Sequence, residues 1–234
     1  MTGITQNQLK FIAVLTMTVD HIGAILFPDI LLLRIIGRLA FPIFSYSVYE
    51  GCRYTRRPVL YLLRMLLLGV ACTGMKYVFT GIWTGDILIT FSLSICILLP
   101  LRRWKSALWE RRAEAVPAGL LTAGAVLLAA GICTVFYVDY GFFGVMVPVL
   151  AELADFKRAQ VSSDRNWLPL AGFGVGLLFV CLSSVAIQFY SGIALLLLML
   201  ANGRRGNRKL KYVFYAYYPL HLAVLYGLAL ILKR

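Results

Sequence analysis

The chain has 234 residues, of which 61% are hydrophobic, and its mean hydropathy is +0.82. A soluble domain is typically about 45–50% apolar, so the excess apolar surface must meet lipid rather than water. The net charge of +13 at pH 7 does not indicate a nucleic-acid-binding protein, because the cytoplasmic loops of membrane proteins are themselves rich in Lys and Arg. We therefore predict an integral membrane protein that contacts membrane lipid and binds no nucleic acid.

The apolar runs, taken in chain order, predict eight to nine transmembrane helices. A helix needs about 20 apolar residues to cross a bilayer, with a range of about 17–25. The short run at 188–201 could instead be half of a re-entrant pair with the run before it. No linker or soluble segment separates the runs, so residues 1–234 are predicted to form a single all-α transmembrane bundle. The nine predicted spans are 8–27, 30–51, 58–80, 85–101, 115–136, 139–155, 167–185, 188–201 and 212–232.

The distribution of Lys and Arg predicts the orientation of the chain. Basic residues cluster between alternate spans, whereas the segments between the other spans, such as 81–86 and 186–190, contain neither Lys nor Arg. The positive-inside rule then places the N-terminus in the cytoplasm of a bacterial inner or plasma membrane. The basic residues that carry this prediction are Arg53, Arg56, Arg57, Arg102, Arg103, Lys105, Arg111, Arg112, Lys157, Arg158, Arg165, Arg204, Arg205, Arg208, Lys209 and Lys211.

A few ionisable residues lie inside the predicted spans. Such groups are costly in a bilayer and by default indicate a functional site. At about 1.5 Å per residue, His21, Arg38 and His221 share a slab between the midplane and the outer third of the membrane. Glu50 lies nearer the cytoplasmic end of its span. The full set of deeper groups is Asp20, His21, Arg34, Arg38, Lys76 and His221.

Asp20 and His21 are adjacent, about 100° apart around a helix, so Asp20 is poorly placed to orient His21. Arg34 and Arg38 share one helix face at i and i+4. We therefore expect Asp20 to pair with one of these arginines across the short turn between spans one and two. An ion pair that only holds the two spans together is the structural alternative, but it leaves two more cations and two histidines unexplained.

The two histidines are the candidates for acid–base chemistry. An imidazole titrates near neutral pH and therefore suits general base catalysis. His21, beside a buried carboxylate and opposite two arginines, is the stronger candidate, and His221 is equally compatible with a structural role. No metal site is predicted, because the nearby arginines would repel a divalent cation.

Several motifs resemble those of the TraX family, which is named for the protein that N-acetylates conjugative F-type pilin. They are MTVDHIG at 17–23, LRIIGRLAFPIF at 33–44, Glu50-Gly51, DYG at 139–141 and YPLHL at 218–222. The resemblance extends over essentially the whole chain, and the motifs near its two ends are specific. It implies a polytopic inner-membrane acyltransferase, distantly similar to the multi-spanning acyltransferases that use cytoplasmic acyl-CoA. The matching positions are Asp20, His21, Arg34, Arg38, Glu50 and His221.

The expected reaction is transfer of an acyl group, most simply acetyl from acetyl-CoA, to an amine or hydroxyl of an acceptor. The acceptor could be a protein N-terminus, a glycan or a lipid. His21 would be the general base or a transient acyl carrier, assisted by His221. Arg34 or Arg38 would position Asp20 or stabilise the tetrahedral oxyanion, and Glu50 and Lys76 are further binding or charge-stabilising candidates. A small transporter or proton-coupled channel, or a non-catalytic scaffold, are the alternatives.

Overall fold

The computed structural model describes residues 3–155, 167–202 and 210–232. Within these ranges the ordered segments are helical, apart from two isolated β-bridges that join Ile4 to Ala201 and Gly85 to Val138. The helices are α1 (Gln6–Ile25), α2 (Leu31–Gly37), α3 (Ala40–Tyr54), α4 (Pro58–Thr80), α5 (Ile87–Trp109), α6 (Ala115–Val135), α7 (Gly141–Ala154), α8 (Leu168–Ser183), a 3-10 helix (Ala186–Gly192), α9 (Ile193–Met199) and α10 (Leu210–Leu232).

Six segments of the described chain are long and apolar enough to cross a membrane. They are Gln6–Ile25, Leu31–Tyr54, Pro58–Thr80, Ile87–Trp109, Ala115–Val135 and Val213–Leu232. Three shorter apolar segments, Gly141–Ala154, Leu168–Ser183 and Ala186–Met199, lie where further spans were predicted. The prediction of an all-helical membrane protein is confirmed, whereas the count of eight to nine spans stays a prediction.

The helix ends follow ordinary capping chemistry. Thr5 and Gln8 form a reciprocal capping box at the start of α1, and the Asp86 carboxylate accepts from the Leu88 N–H at the start of α5. Pro58 occupies the first turn of α4, where a missing N–H leaves no bond unmade. Gly81 ends α4 with a φ of 69°, a left-handed conformation that favours glycine. These signals make the limits of α1, α4 and α5 readable in the sequence.

One predicted span is interrupted, and one predicted boundary was wrong. The span at 30–51 is broken into α2 and α3 at residues 38–39, so Pro42 lies in the first turn of α3 rather than inside a continuous helix. The helix predicted at 85–101 continues to Trp109, which places Arg102 and Lys105 on α5 rather than in a loop. Their side chains pair with Glu152 of α7, and this partner lets the helix continue past the apolar run.

Close helix contacts depend on glycine at several crossings. A Cβ on Gly37 would lie 2.1 Å from the Oδ1 atom of Asp20, so only glycine allows α1 and α2 to approach this closely. Gly172 and Gly176 of α8 likewise face α7, and a Cβ on Gly172 would lie 2.4 Å from the carbonyl oxygen of Leu150. The GxxxG pattern of α8 therefore serves helix packing.

The segment formed by the 3-10 helix and α9 packs on α3 and α8 and reaches from the level of Asp20 to that of Ile4. At its start, Gln188 in the 3-10 helix accepts a hydrogen bond from Arg38, close to Asp20 of α1. At its end, the carbonyl oxygen of Leu200 accepts from the N–H of Ile4, just before α1. A 3-10 helix rises about 2.0 Å per residue instead of about 1.5 Å, so these few residues cover more length than an α-helix would.

Candidate functional site

An ion-paired cluster joins α1 to α2. The carboxylate of Asp20 lies 2.9 Å from Nη1 of Arg34 and 2.8 Å from Nη2 of Arg38. Nη1 of Arg34 also donates to the backbone carbonyl of Asp20. The predicted pairing across the turn is confirmed, and both arginines take part rather than one.

Arg38 is held at every donor group of its guanidinium. Besides Asp20, its Nη1 donates to the Oε1 atom of Gln188 at 3.2 Å and its Nε to the carbonyl oxygen of Arg34 at 3.2 Å. Its side chain is 11% exposed, against 31% for Arg34. Arg38 is therefore the fixed member of the pair. Arg34 is the more exposed one, and within the described ranges its bonds are made by Nη1 alone.

The two histidines contact each other although 200 residues separate them. Nδ1 of His21 lies 2.8 Å from Nε2 of His221, and Nδ1 of His221 lies 3.1 Å from the carbonyl oxygen of Tyr217. A carbonyl only accepts, so Nδ1 of His221 carries its proton. In the neutral pair, Nε2 of His221 then accepts from the Nδ1–H of His21. The lone pair of His21 is left on Nε2, which is the form that a general base requires.

Aromatic side chains fix the orientation of His221. The Tyr217 ring stacks on its imidazole at a centroid distance of 5.3 Å, and the Tyr218 ring meets it edge-on at 5.4 Å. The hydroxyl of Tyr217 is hydrogen-bonded to that of Thr18 at 2.8 Å, which ties α10 to α1 beside the histidines. These contacts join α10 to α1, the helix that also carries the ion pair to α2.

A second polar cluster lies next to the histidines, where α4, α5 and α10 meet. The Tyr218 hydroxyl donates to both carboxylate oxygens of Asp86, at 3.0 and 3.1 Å, and the Asp86 N–H donates to Thr73. Lys76 pairs with Asp139 at 3.3 Å. Burial, and then the neighbouring Asp139, raise the pKa of the Asp86 carboxyl to about 6.

A cavity of about 700 Å³ runs into the bundle between α1, α3, α4, α5 and α10. One end is lined by basic side chains and by Glu50, and the other by buried apolar residues and Tyr218. Met17, at that inner end, is one helical turn before His21 on the same face of α1. The basic residues that line the cavity are Lys10, Arg56, Arg57 and Arg64.

A third cluster joins the C-terminal parts of α3, α5 and α7. Glu152 pairs with Arg102 at 2.6 Å, and Asp155 accepts from Arg53 at 3.0 Å and from the Tyr49 hydroxyl at 3.0 Å. These residues are separated from the histidines along the helices. Their contacts anchor helix ends, and nothing about them indicates chemistry.

The structure sorts the predicted site residues into two groups. It brings together Asp20, His21, Arg34, Arg38 and His221, with Lys76 in the adjoining cluster. Glu50 lies apart from the histidines, on the wall of the cavity. In the described part of the chain, no group of three His, Cys, Asp or Glu residues is arranged to hold a metal ion.

Sequence reasoning missed several residues that surround the histidines. Gln188 lies in a segment that the sequence analysis noted only for its lack of Lys and Arg. In the structure it is 1% exposed, and a Gln buried to this extent needs a polar partner. Asp86 and Asp139 resembled ordinary loop acids. Tyr217 precedes and Tyr218 begins the YPLHL motif that contains His221, and their closeness in sequence to His221 was the one signal that could have assigned them a role.

Comparisons with known proteins identify the family of the chain. A probable fimbrial assembly protein of Dichelobacter nodosus, FimC of serogroup H1, is 29% identical over 244 aligned positions that cover 93% of each chain. An uncharacterized protein of Rickettsia prowazekii is 27% identical over 157 positions, which cover 67% of this chain and 58% of the rickettsial protein. No solved structure matches the chain. The family described as TraX protein matches residues 5–229, and the chain therefore belongs to the TraX family.

Proposed function

We propose that this protein is a membrane-bound acyltransferase that moves an acetyl group from acetyl-CoA, or another acyl-CoA, to an amine or hydroxyl acceptor. The observation that carries the proposal is the cavity, which has a basic mouth and ends one helical turn from a histidine with a free Nε2. A coenzyme A thioester has the matching polarity, with phosphates at one end and the reactive thioester at the other.

The dimensions of the cavity support this match. Lys10 precedes Met17, at the inner end, by seven residues of α1, a rise of about 10 Å at about 1.5 Å per residue. The Lys10 side chain leans toward the N-terminal end of the helix, which adds to that length. The pantetheine arm has about 13 bonds between its sulfur and its phosphate, or about 15 Å when extended at ~3.5 Å per three bonds. Phosphates held near Lys10 and Arg64 would therefore place the thioester at the inner end.

The mouth suits the nucleotide portion of coenzyme A. Arg56, Arg57 and Arg64 line it together with Lys10, and guanidinium groups bind phosphate oxygens in bidentate fashion. Tyr54 also lines the mouth and offers an aromatic face to an adenine ring. Glu50 lies among these cations, and we assign it to positioning their side chains.

The inner end is at a suitable distance for acid–base catalysis by His21. One helical turn separates Met17 from His21, or about 6 Å. An acceptor atom that is hydrogen-bonded to Nε2 of His21 and lies ~3–3.5 Å from the thioester carbon would fill that distance. The acceptor would thus lie between the donor and the base, entering from the end of the bundle at which Arg34 is exposed.

In the proposed reaction, Nε2 of His21 takes a proton from the acceptor N–H or O–H while the acceptor attacks the thioester carbonyl carbon. The tetrahedral oxyanion forms near Arg34, whose donors are partly unused. The C–S bond then breaks, and the coenzyme A thiolate takes the proton back from His21. His221 acts as a positioning residue, because it accepts from the Nδ1–H of His21 and stabilises the imidazolium.

We further propose nine membrane crossings, with the N-terminus in the cytoplasm. The 3-10 helix and α9 together extend from the level of Asp20 to that of Ile4, which is the length of most of α1. The basic residues around the cavity mouth lie at the end of the bundle where α1 begins, in agreement with the positive-inside rule. The mouth would then face the cytoplasmic pool of acyl-CoA, in an inner or plasma membrane.

The acceptor belongs to the same proposal. The relative from Dichelobacter is named as a probable fimbrial assembly protein, so a fimbrial or pilus subunit with a free amino terminus is the first acceptor to try. A glycan or lipid hydroxyl would undergo the same chemistry.

Reconstituted protein supplied with radiolabelled acetyl-CoA and an envelope fraction from cells lacking this protein tests the proposal. We expect release of coenzyme A and label in an envelope component, which mass spectrometry then identifies by its added acyl group. Absence of transfer from any acyl-CoA, together with pH-driven solute or proton flux through the same vesicles, would instead indicate a transporter or channel.

A further inference from the structure

The inner end of the cavity is closed by a wall of buried side chains. Met17 of α1, Leu88 and Phe91 of α5 and Tyr218 of α10 line it, and each is less than a tenth exposed. Three of the four are apolar and leave no polar group for a ligand to contact. Whatever part of a ligand reaches this end must be small and apolar.

Tyr218 is the member of this wall that is held most firmly. Its hydroxyl donates to both oxygens of Asp86, which is itself 2% exposed. Asp86 in turn accepts from the Leu88 N–H at 3.0 Å, and its own N–H donates to Thr73. The Tyr218 ring therefore cannot rotate aside without breaking its hydrogen bonds to a buried carboxylate, a cost that a bound ligand would have to supply.

Tyr218 is also the member of the wall that contacts the histidine pair. The Tyr218 ring lies against the edge of the His221 ring, with the centroids 5.4 Å apart. A longer ligand in the cavity would have to displace this ring and disturb the pair formed by His21 and His221. Length beyond the thioester carbon is thus limited by a residue that contacts the positioning histidine.

We infer that Tyr218, fixed by Asp86, sets the length of the acyl group that the enzyme accepts, and restricts it to acetyl or a group of similar size. This inference rests on the proposed function, since it concerns the acyl end of the same donor site. A hydrophobic pocket discriminates by about 10–200-fold for a single methylene group, so a fixed wall is sufficient to select acetyl over butyryl.

The test is a comparison of acetyl-CoA with butyryl-CoA and hexanoyl-CoA as donors for reconstituted wild-type protein and for Tyr218→Ala. For wild type we expect kcat/KM to fall by at least about tenfold from acetyl to butyryl. For Tyr218→Ala we expect the ratio of kcat/KM for acetyl-CoA to that for butyryl-CoA to approach one or to fall below one. Tyr218→Phe keeps the ring but loses the hydrogen bonds to Asp86. Its ratio of kcat/KM for acetyl-CoA to that for butyryl-CoA should lie between those of wild type and Tyr218→Ala.

Tyr226→Ala is the matched control. Tyr226 lies two turns further along α10, stacks on Phe79 at 5.1 Å and is not part of the cavity wall. Tyr226→Ala removes a similar aromatic volume from the same helix. Because Tyr226 does not line the cavity, this variant should leave the ratio of acetyl to butyryl turnover unchanged. An equal change in that ratio for both variants would show that α10 has loosened generally, which overturns the inference.

A measurement without turnover uses the native thiol of Cys72. Cys72 is fully buried on α4 and lies near both Tyr218 and Asp86. In a background with the other four cysteines replaced by serine, Tyr218→Ala should speed its modification by a small thiol reagent at least about tenfold, and Tyr226→Ala should not. Octanoyl-CoA should slow the modification only in Tyr218→Ala.

The possible results separate the two proposals. Absence of acyl transfer from every donor would contradict the proposed function, whatever the reactivity of Cys72. Transfer of all three acyl groups at equal rates by wild type, or an unchanged preference in Tyr218→Ala with Cys72 newly accessible, would leave the acyltransferase intact and overturn the assignment of Tyr218.

Discussion

Arg34 and Arg38 share one carboxylate but have different surroundings. Arg38 donates to Asp20, to Gln188 and to the carbonyl of Arg34. Within the described ranges Arg34 donates to Asp20 alone, and its side chain is nearly three times as exposed as that of Arg38. A buried charge that loses its partner is far more costly than one that water or lipid headgroups can reach. The two arginines should therefore respond differently to the same substitution.

We expect Arg38→Ala to lower the free energy of unfolding by about 3–5 kcal/mol, because it leaves Asp20 under-compensated and removes the described partner of Gln188. Arg34→Ala should cost about 1 kcal/mol, as a half-exposed pair does, and should mainly reduce turnover. Thermal unfolding in detergent, with acyl transfer assayed on the same samples, measures both effects. Equal losses of stability in the two variants would contradict the assignment of separate roles.

At the scale of helices, the approach of α1 to α2 determines whether the ion-paired cluster can form. Gly37 is the residue that permits this approach, since any Cβ there would overlap the Asp20 carboxylate. The neighbouring Gly23 faces Leu33 of α2 in a similar way, with 2.7 Å between its hypothetical Cβ and that of Leu33. Two glycines thus fix the spacing of the helices that carry Asp20, His21 and both arginines.

Gly37→Ala should therefore separate α1 from α2, abolish acyl transfer and lower the melting temperature by several degrees. Gly131→Ala is the control, because Gly131 is an exposed glycine of α6 whose Cβ would meet no atom within 4 Å. In a helix interior, alanine is about 0.5–1 kcal/mol more favourable than glycine, so the control should be neutral or stabilising. A Gly37→Ala protein as active and stable as the control would show that the close crossing is unimportant.

The break between α2 and α3 shows where sequence patterns stop being informative about helices. The run at 30–51 is mostly apolar apart from its charges and two serines, Ser45 and Ser47, and periodicity alone cannot distinguish one helix from two in such a stretch. Conversely, α5 extends past its apolar run because Arg102 and Lys105 find Glu152 on a distant helix. Boundaries that depend on tertiary partners are not encoded locally.

At the scale of the whole molecule, charge asymmetry and the basic cavity mouth both support the proposed orientation of the chain. With the mouth in the cytoplasm, the loop at 83–85 between α4 and α5 lies outside. A cysteine introduced at Trp83, which is 59% exposed, should react with an impermeant thiol reagent added to intact spheroplasts. A cysteine at Arg57 of the mouth should react only after permeabilisation, and the reverse pattern would invert the proposed topology.

The membrane class, most helices and the central residues of the site were predictable from the sequence. Buried charges are rare in lipid, so Asp20, His21, Arg34, Arg38 and His221 stood out without any structure. The pairing of Asp20 with the arginines was predictable as well, whereas the contact between His21 and His221 was not, because it depends on how α10 docks on α1. Asp86 and Tyr218 escaped notice for a related reason, since a loop acid and a tyrosine become significant only when the cavity ends beside them.

The central claim is that Nε2 of His21 is the base for acyl transfer, and turnover of His21→Ala per folded molecule tests it most directly. Proton transfer by a positioned base contributes typically 10²–10⁴-fold, so we expect a loss of that size with little change in melting temperature. His221→Ala, which removes only the acceptor of the His21 Nδ1–H, should lose less and shift the pH profile of turnover. Turnover near that of wild type in a stably folded His21→Ala protein would contradict the account and make this histidine structural.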